Sequence, residues 1–454
     1  MEHQGVGIVG AGIVGCVAAL ALQARGFSVT LFELRQDPQL EPEMKNLRSI
    51  NLSLSNRGIR AMDKVDPLLS QRILESSVPL VGRMIHDRTG TKCESQLYGL
   101  FGEHNNSIDR SVFNKLLIEE TQHRGIKVLF NHRLIAVENK DVPKLSFDVL
   151  GEINDFEFDY IIGSDGAFSQ FKYQVQKSMR MNTSQDYIDM QYMELYIPPG
   201  PQNSFLIDAN HLHIWPRDNF MLIALPNSDG SFTSTFFSPW HVIEGIESPE
   251  AFGEFFETHF PDAVSLLGKE QLVKAYKEYP RGALIQTSAY PYHSPNKKAL
   301  LIGDAAHAMV PFYGQGMNCG LEDITVLLEL FDQYQDLAVS FEKYSEVRKD
   351  DLDTICKLAM DNYNEMASKV TQASFLWRKK IDYYLGKYAN GRYFQWIPMY
   401  SMISFRDDIS YSKAVDIRDT QDRFIRRLEL GGALGVLGLA LVKGYQAYTR
   451  FQRN

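Results

Sequence analysis

Gly5 to Val9 reads as a short apolar strand, and it runs straight into Gly10-Ala-Gly12-Ile-Val-Gly15. Strand, GxGxxG turn and helix in that order commit a chain to a βαβ unit whose helix N-terminus faces a phosphate. The first glycine permits a tight turn, the second lets backbone approach the pyrophosphate, and the third lets helix pack on strand. Cys16 to Ala24 predicts the helix and Ser28 to Phe32 the second strand, which Glu33 ends. Glu33 stands 18 residues past Gly15, near the spacing of an acid that accepts from a ribose hydroxyl. An acid at that position disfavours a 2′-phosphate, and so disfavours NADP in this pocket.

A second group of small residues lies far downstream. Ala299 to Ile302 predicts a strand that Gly303-Asp304 ends, and a helix is predicted over 321–330. Between them stand Ala305, Ala306, His307, Pro311, Phe312, Gly314, Gly316, Met317, Asn318 and Gly320. Small residues let backbone crowd a planar ring, and Asp304 can accept from a ribityl hydroxyl. Amides around Met317 and Asn318, at a helix N-terminus, can stabilise negative charge on a reduced flavin. His307 is read as structural, because the sequence offers it no partner that would make it a base. A third element, Asp159 to Ser169, is a strand end followed by Ser164-Asp165-Gly166. Together these predict one FAD held across a discontinuous domain. No second dinucleotide fingerprint exists: Gly432, Gly435 and Gly438 lie in an apolar tail without βαβ context. NADPH is therefore expected to dock transiently in a groove.

The expected architecture is α/β. It is a Rossmann-like FAD-binding domain with an inserted antiparallel-sheet substrate domain, a helical C-terminal region and an apolar C-terminal tail. The FAD-binding pieces are 1–75, 98–178 and 286–335, the substrate domain 76–97 and 179–285, the helical region 336–428 and the tail 429–454. Tyr192 to Ile197, His211 to Trp215, Phe220 to Leu225 and Phe232 to Phe237 are alternating or aromatic-rich runs broken by turn residues, which read as antiparallel strands. Such a sheet would floor a substrate cavity at the domain interface. His211 and His213 share a face of one strand; without a third ligand they are read as structural, and no metal is expected. Leu430 to Val442 carries no charge over thirteen residues, and Lys443 interrupts it. That is short of the ~20 apolar residues of a spanning helix. Lys443 can snorkel, Gly431 and Gly435 form a GxxxG, and Arg423, Arg426, Arg427, Arg450 and Arg453 flank the run. A membrane-anchor tail is expected. The net charge of −9 argues against a nucleic-acid partner. The four cysteines, Cys16, Cys93, Cys319 and Cys356, show no metal spacing and suit a reduced compartment. The first strand begins by residue 5, so no signal or transit peptide is expected.

The glycine, Asp-Gly and Gly-Asp elements in this order resemble the single-component FAD-dependent aromatic hydroxylases, which share the p-hydroxybenzoate hydroxylase fold. The resemblance narrows to the kynurenine 3-monooxygenase family. It is carried by Arg48 to Ser55, Gly82 to His86, Gln96 to Gly99, Leu212 to Arg217, Phe220 to Pro226, Gly303 to Phe312, Asn362-Tyr363 and Trp396 to Phe405. It implies that NADPH reduces FAD, that O2 adds at flavin C4a, and that the hydroperoxide passes an oxygen to the ring of L-kynurenine. The product would be 3-hydroxykynurenine, in tryptophan degradation and de novo NAD synthesis. It also implies attachment to the mitochondrial outer membrane, with the catalytic body facing the cytosol.

For the substrate, the resemblance implies Arg83 as the carboxylate-binding guanidinium, Tyr98 as a second donor, and Asn362 and Tyr400 as polar contacts. An arginine suits a carboxylate because its planar fork binds bidentately. Phe312, Met366, Leu225 and Ile223 are expected around the aniline end. No strong general base is expected, because the ring amine already activates the ring. For the cofactor, the expected residues are Gly10, Gly12, Val14, Gly15, Glu33, Leu34, Arg35, Ser53, Arg110, Leu134, Gln170, Asp304, Met317 and Asn318. Arg110 is expected as a cation near the phosphates or the flavin edge. Ser53, Leu134 and Gln170 are expected to act through backbone or packing. The chain departs from the family's pattern at Ser164, where cysteine is usual, at Lys172, where an arginine follows, and at Tyr313, where phenylalanine is common. No cofactor role is assigned to Lys172. Two alternatives stay open at this level. One is an FAD hydroxylase of another aromatic acid, separable by whether kynurenine or simple benzoates stimulate NADPH oxidation. The other is a non-catalytic FAD-fold binding module, which Asp304 and the glycines after it argue against.

Overall fold

A computed structural model of the chain describes residues 4–40, 51–367, 372–388 and 395–427. Gly5–Val9 is the central strand of a five-stranded parallel sheet in the order Ala299–Leu301, Tyr160–Gly163, Gly5–Val9, Ser28–Phe32, Lys127–Leu129. Val6 pairs with Tyr160 on one side and Val29 on the other. Val6, Ile8, Leu31, Ile161, Ile162 and Leu300 are buried, as in strands covered on both faces. The first helix is Ile13–Gln23, starting three residues before the predicted Cys16. It is buried from Gly15 to Leu22, so it lacks a polar stripe that would mark its start.

A second, seven-stranded sheet has the order Arg281–Tyr290, Asn182–Ile197, Phe232–Ser238, Phe220–Pro226, His211–Arg217, Gly82–His86, Cys93–Leu97. Its neighbours pair antiparallel except His211–Arg217 with Gly82–His86, which run parallel. All four predicted strands lie within it. Alternation sorts its side chains between two faces. On one face Trp215, Leu222, Ala224, Phe232 and Phe236 pack against Phe252, Phe256 and Phe260 of the helices that follow. On the other, Ile85, Ile214, Ile223, Phe237 and Leu284 meet Phe312 and the helix Leu337–Ala367 through Ala359 and Met366. Arg281–Tyr290 runs through residue 285, where a domain division was expected, and Thr287 N donates to the Ala308 carbonyl (2.8 Å). The strand thereby joins the sheet to the turn below Gly303-Asp304.

Beyond Leu337–Ala367 the chain continues as Ala373–Tyr388, Met399–Phe405 and a helix over 411–427. The expected tail, 429–454 with Leu430 to Val442, Gly431, Gly435 and Lys443, lies outside the described residues. Among the described residues no helix is long and apolar enough to cross a membrane.

A buried charge network joins these layers. Asp323, fully buried, accepts from Gly303 N (2.9 Å), His307 Nε2 (2.6 Å) and Arg348 Nη2 (2.8 Å). Arg348 Nη1 also donates to Glu322 (2.9 Å), which pairs in turn with Arg57. Burial alone would raise the Asp323 carboxyl, but His307 and Arg348 outweigh it and hold it at about 2. A buried charge that loses its partner is strongly destabilising. Arg348→Met is therefore expected to cost about 3–5 kcal/mol, measurable by chemical denaturation. The folded Asp323 value lies below the ordinary ~3.9 of an aspartate. Its contribution is thus complete above ~3.9 and disappears as pH falls towards about 2. Denaturation across that window should show Asp323→Asn less stable than wild type at neutral pH and less sensitive to acid.

Candidate functional site

The glycine turn is closed by the Asp-Gly element. Gly10 has a φ of 103°, and a Cβ there would stand 2.6 Å from the Ser164 carbonyl. Ser164 Oγ donates to Val9 O (3.0 Å) and Gly10 O (3.1 Å), so this hydroxyl braces the turn. Asp165 accepts from Phe171 N (3.0 Å) and Ser169 Oγ (2.5 Å), and so caps its own turn. Gly12, the N-cap of the first helix, has no side-chain cap and faces open space. Glu33 Oε2 accepts from Ala11 N and Oε1 from Arg35 N, both at 3.0 Å, which fixes the carboxylate beside the turn.

The flavin end meets this turn through Val14. A Cβ at Gly303 would lie 3.3 Å from the Val14 side chain, and one at Gly320 would lie 2.7 Å from it. The helix begins at Gly316, five residues before the predicted Leu321. Its glycine-rich first turn reads as loop but is held by Asn318. That side chain donates to Ser53 O and Gly314 O and accepts from Ser55 N, each at 2.8 Å. Gln315, the N-cap, makes no side-chain cap, so the Gly316–Met317 end presents its amides without one. Asp304 Oδ1 lies 4.0 Å from where a Gly316 Cβ would stand.

The other expected cofactor residues are more scattered. Leu34, Arg35, Arg110 and Gln170 are exposed, Arg110 as the first residue of the helix Arg110–His123 and Gln170 as the first of Gln170–Val175. Ser53 is half-buried, and Leu134 is buried in the core. His307, read as structural, is held by a partner that the sequence did not show, Asp323, 2.6 Å from its Nε2. Sixteen residues separate the two, so only the turn back into the helix reveals the pair. His307, Cys319 and Asp323 are spaced like metal ligands. Arg348 already occupies Asp323, and burial pushes the Cys319 thiol well up, which keeps it protonated.

On the sheet face turned towards these elements, Arg83 is 7% exposed and donates from Nη1 to Glu365 (3.3 Å). Its guanidinium lies 5.8 Å from the Tyr98 ring and 5.2 Å from the Tyr400 ring, near enough for cation–π attraction. Tyr98 stacks on Tyr400 (4.7 Å, 15°), and Tyr313 also lies near-parallel to Tyr400 (5.9 Å, 14°). Asn105 Nδ2 donates to the Tyr400 hydroxyl (2.9 Å). Burial opposes charge on Arg83, but Glu365 and the three tyrosines outweigh it, and the guanidinium is held more firmly protonated than usual. Burial raises both Tyr98 and Tyr313, so their hydroxyls stay available as donors.

The apolar part adjoins this charged end. Phe312 packs against Phe237 (5.3 Å) and Tyr363 (4.6 Å), with Met366 and Ile223 in the same cluster. Leu225 shares that face with Ile223 by alternation. Asn362 Nδ2 donates to Phe312 O (2.6 Å), so the amide braces the turn that carries Phe312. His211 and His213 point to the opposite face, where His211 meets Ser95 and His213 meets His86 (both 2.8 Å). A cavity of about 340 Å³ lined by Leu195, Leu267 and Leu272 also lies on that opposite side, away from Arg83. Glu365 was not singled out from the sequence. The available signal was helical spacing, which puts Asn362, Glu365 and Met366 on one face.

Parallel sheet, glycine turn and second sheet define a flavin-dependent aromatic hydroxylase fold. The family described as FAD binding domain matches residues 3–339. Among solved structures, the tetrameric form of 2-methyl-3-hydroxypyridine-5-carboxylic acid oxygenase superposes with a TM-score of 0.66 at 19% identity, over 83% of this chain and 96% of the other. CtdE in complex with FAD and a substrate gives 0.64 at 17%, over 80% and 90%. Kynurenine 3-monooxygenase of Debaryomyces hansenii is 58% identical over 100% of this chain and 98% of its own length. The Saccharomyces cerevisiae protein of that name is 44% identical over 98% and 99%, and the Anopheles gambiae protein 42% over 96% and 89%. The chain belongs to the kynurenine 3-monooxygenase family.

FAD, the family's cofactor, fits these residues. Open space at Gly12, an uncapped helix N-terminus and a fixed Glu33 suit its adenosine diphosphate half. Asp304 and the Gly316–Met317 amides suit its flavin half. Glu33→Ala is expected to weaken FAD binding by about 10–100-fold, the worth of a hydrogen bond to a charged group. Flavin fluorescence during titration of the apoprotein measures it.

Proposed function

We propose that the chain hydroxylates L-kynurenine at ring carbon 3, consuming NADPH and O2 and releasing 3-hydroxy-L-kynurenine, a step of tryptophan degradation towards NAD. The observation that carries this reading is the Arg83–Glu365 pair on the inner sheet face. A buried guanidinium and a carboxylate side by side complement both charges of an α-amino acid head group. The apolar wall of Phe312, Met366, Ile223 and Phe237 beyond them suits an aromatic ketone. Full-length similarity to several kynurenine 3-monooxygenases supports the same substrate.

When bound, FAD takes electrons from NADPH and activates O2. The protein's own part is placement. Arg83 orients the substrate carboxylate, with the Tyr98 and Tyr400 hydroxyls as further donors beside it. Glu365 exchanges its bond to Arg83 for the substrate ammonium. Asn362 keeps Phe312 against the ring, and the buried apolar wall excludes water. The ring amine of kynurenine supplies electron density to the reacting carbon, so no side chain has to remove a proton first. A simple aromatic acid would suit Arg83 but would leave Glu365 facing a second negative charge, which disfavours that substrate.

The reading extends to location. Leu430 to Val442 carries no charge, and Arg423, Arg426, Arg427 and Lys443 flank it, a pattern that supports a tail anchor in the mitochondrial outer membrane with the body in the cytosol. Ending the chain after residue 428 is expected to move the protein into the soluble fraction. If that form still pelleted with membranes, the anchor would lie elsewhere.

The central test is NADPH oxidation with and without kynurenine, with the product identified by mass. Arg83→Ala should lower kcat/KM for kynurenine by at least about thirtyfold, the lower end of losing a buried charge partner, while the flavin spectrum stays intact. Turnover with an unchanged KM would remove Arg83 from the site.

A further inference from the structure

Two donors at the head-group end have no acceptor. Arg83 Nε and Gln96 Nε2 are buried and without a hydrogen-bond partner among the described residues. The residues themselves are 7% and 5% exposed. Such donors are unfavourable unless something occupies them. They are neighbours by construction. Gly82–His86 and Cys93–Leu97 pair antiparallel with Arg83 directly opposite Gln96, so both side chains leave the sheet on the same face.

The Gln96 amide is also oriented. Lys379, on the helix Ala373–Tyr388, donates from Nζ to Gln96 Oε1 (3.1 Å). An ammonium group has donors and no acceptor, so the amide oxygen must face Lys379 and the amide nitrogen must face away. Glu365 engages Arg83 through Nη1 only. The Nε side of the guanidinium and the Gln96 NH2 therefore remain for a second carboxylate.

We infer that Gln96 binds the substrate, its Nε2 sharing the amino-acid carboxylate with Arg83 Nε, and that Lys379 is the positioning residue that holds the Gln96 amide for this. The inference rests on the amino-acid substrate proposed above and names two residues that the matched motifs left without a role. Lys379 also makes the subsite sensitive to pH. Burial and the Arg83 charge push it down to about 8, against the opposing effect of Glu365 and Glu94. On its own helix Arg378 and Asp382 pair with each other. Below about 8 the ammonium fixes the amide and adds positive charge. Above it the neutral amine gains a lone pair, the amide is free to turn over, and affinity for a carboxylate falls.

The full-length, FAD-loaded enzyme tests this with three measurements. Gln96→Leu should raise the KM for kynurenine about tenfold, the worth of one hydrogen bond to a carboxylate, with kcat within about twofold and the flavin spectrum unchanged. The same substitution should leave the binding of a kynurenine analogue lacking its carboxylate at the wild-type value. In wild type the KM should rise above pH 8, and Lys379→Met should show a raised KM at pH 7 that stays flat to pH 9. A wild-type KM in Gln96→Leu, or an equal loss for the decarboxylated analogue, would remove Gln96 from the subsite. If Gln96→Leu fails to fold, Lys379→Met decides, and an unaltered pH profile there overturns the proposal. A wild-type enzyme inert towards kynurenine would instead sink the substrate reading itself, and this inference with it.

Discussion

One carboxylate holds the catalytic half of this molecule in register. Asp323 receives the amide that ends the strand from Ala299, the imidazole that opens the turn after it, and the guanidinium of Arg348. Arg348 belongs to Leu337–Ala367, the helix that also carries Asn362, Glu365 and Met366. The flavin turn and the substrate helix are therefore tied to the same two oxygen atoms. Such a cluster is poor value as a source of stability, since apolar residues of equal volume often do as well. Its effect is geometric, because a buried carboxylate tolerates only arrangements in which all its partners are present.

The seven-stranded sheet then separates structure from chemistry by alternation. The side chains of one face disappear into an aromatic core with the helices behind them, and the paired histidines go with that face. The other face carries Arg83 at one end and Ile223 and Phe237 further along. Burying Arg83 among tyrosines would be costly without a negative partner, and Glu365 provides one. A zwitterion offers the same pair of charges in reverse, which is the basis of the amino-acid substrate proposed for this pocket.

Much of this was legible in the chain, and the failures share a cause. Ser28 to Phe32 was bounded correctly from its residues, and all four predicted strands of the larger sheet formed. The starts of two helices were missed, at Ile13 and Gly316, because both begin in glycine-rich turns whose order comes from distant contacts. His307 was read as structural, but its partner Asp323 lies across a turn and was not visible in the string. Asn362, expected as a polar contact to substrate, also braces the site, its amide nitrogen donating to the Phe312 carbonyl, a bond that spacing alone does not show. Gln96 lay inside a recognised stretch, yet only its position opposite Arg83 makes its amide informative.

By itself the sequence determined the βαβ turn, the acid beside it and the flavin-side glycines. Those signals are local: backbone freedom at glycine, period-two alternation and the chemistry of single side chains survive in a linear string. Only the tertiary structure decided which charge faces Arg83, which carboxylate anchors His307 and which amide stands unused beside the guanidinium. Those depend on strand register and on helices folding back across long stretches of chain, and neither is written at any one position.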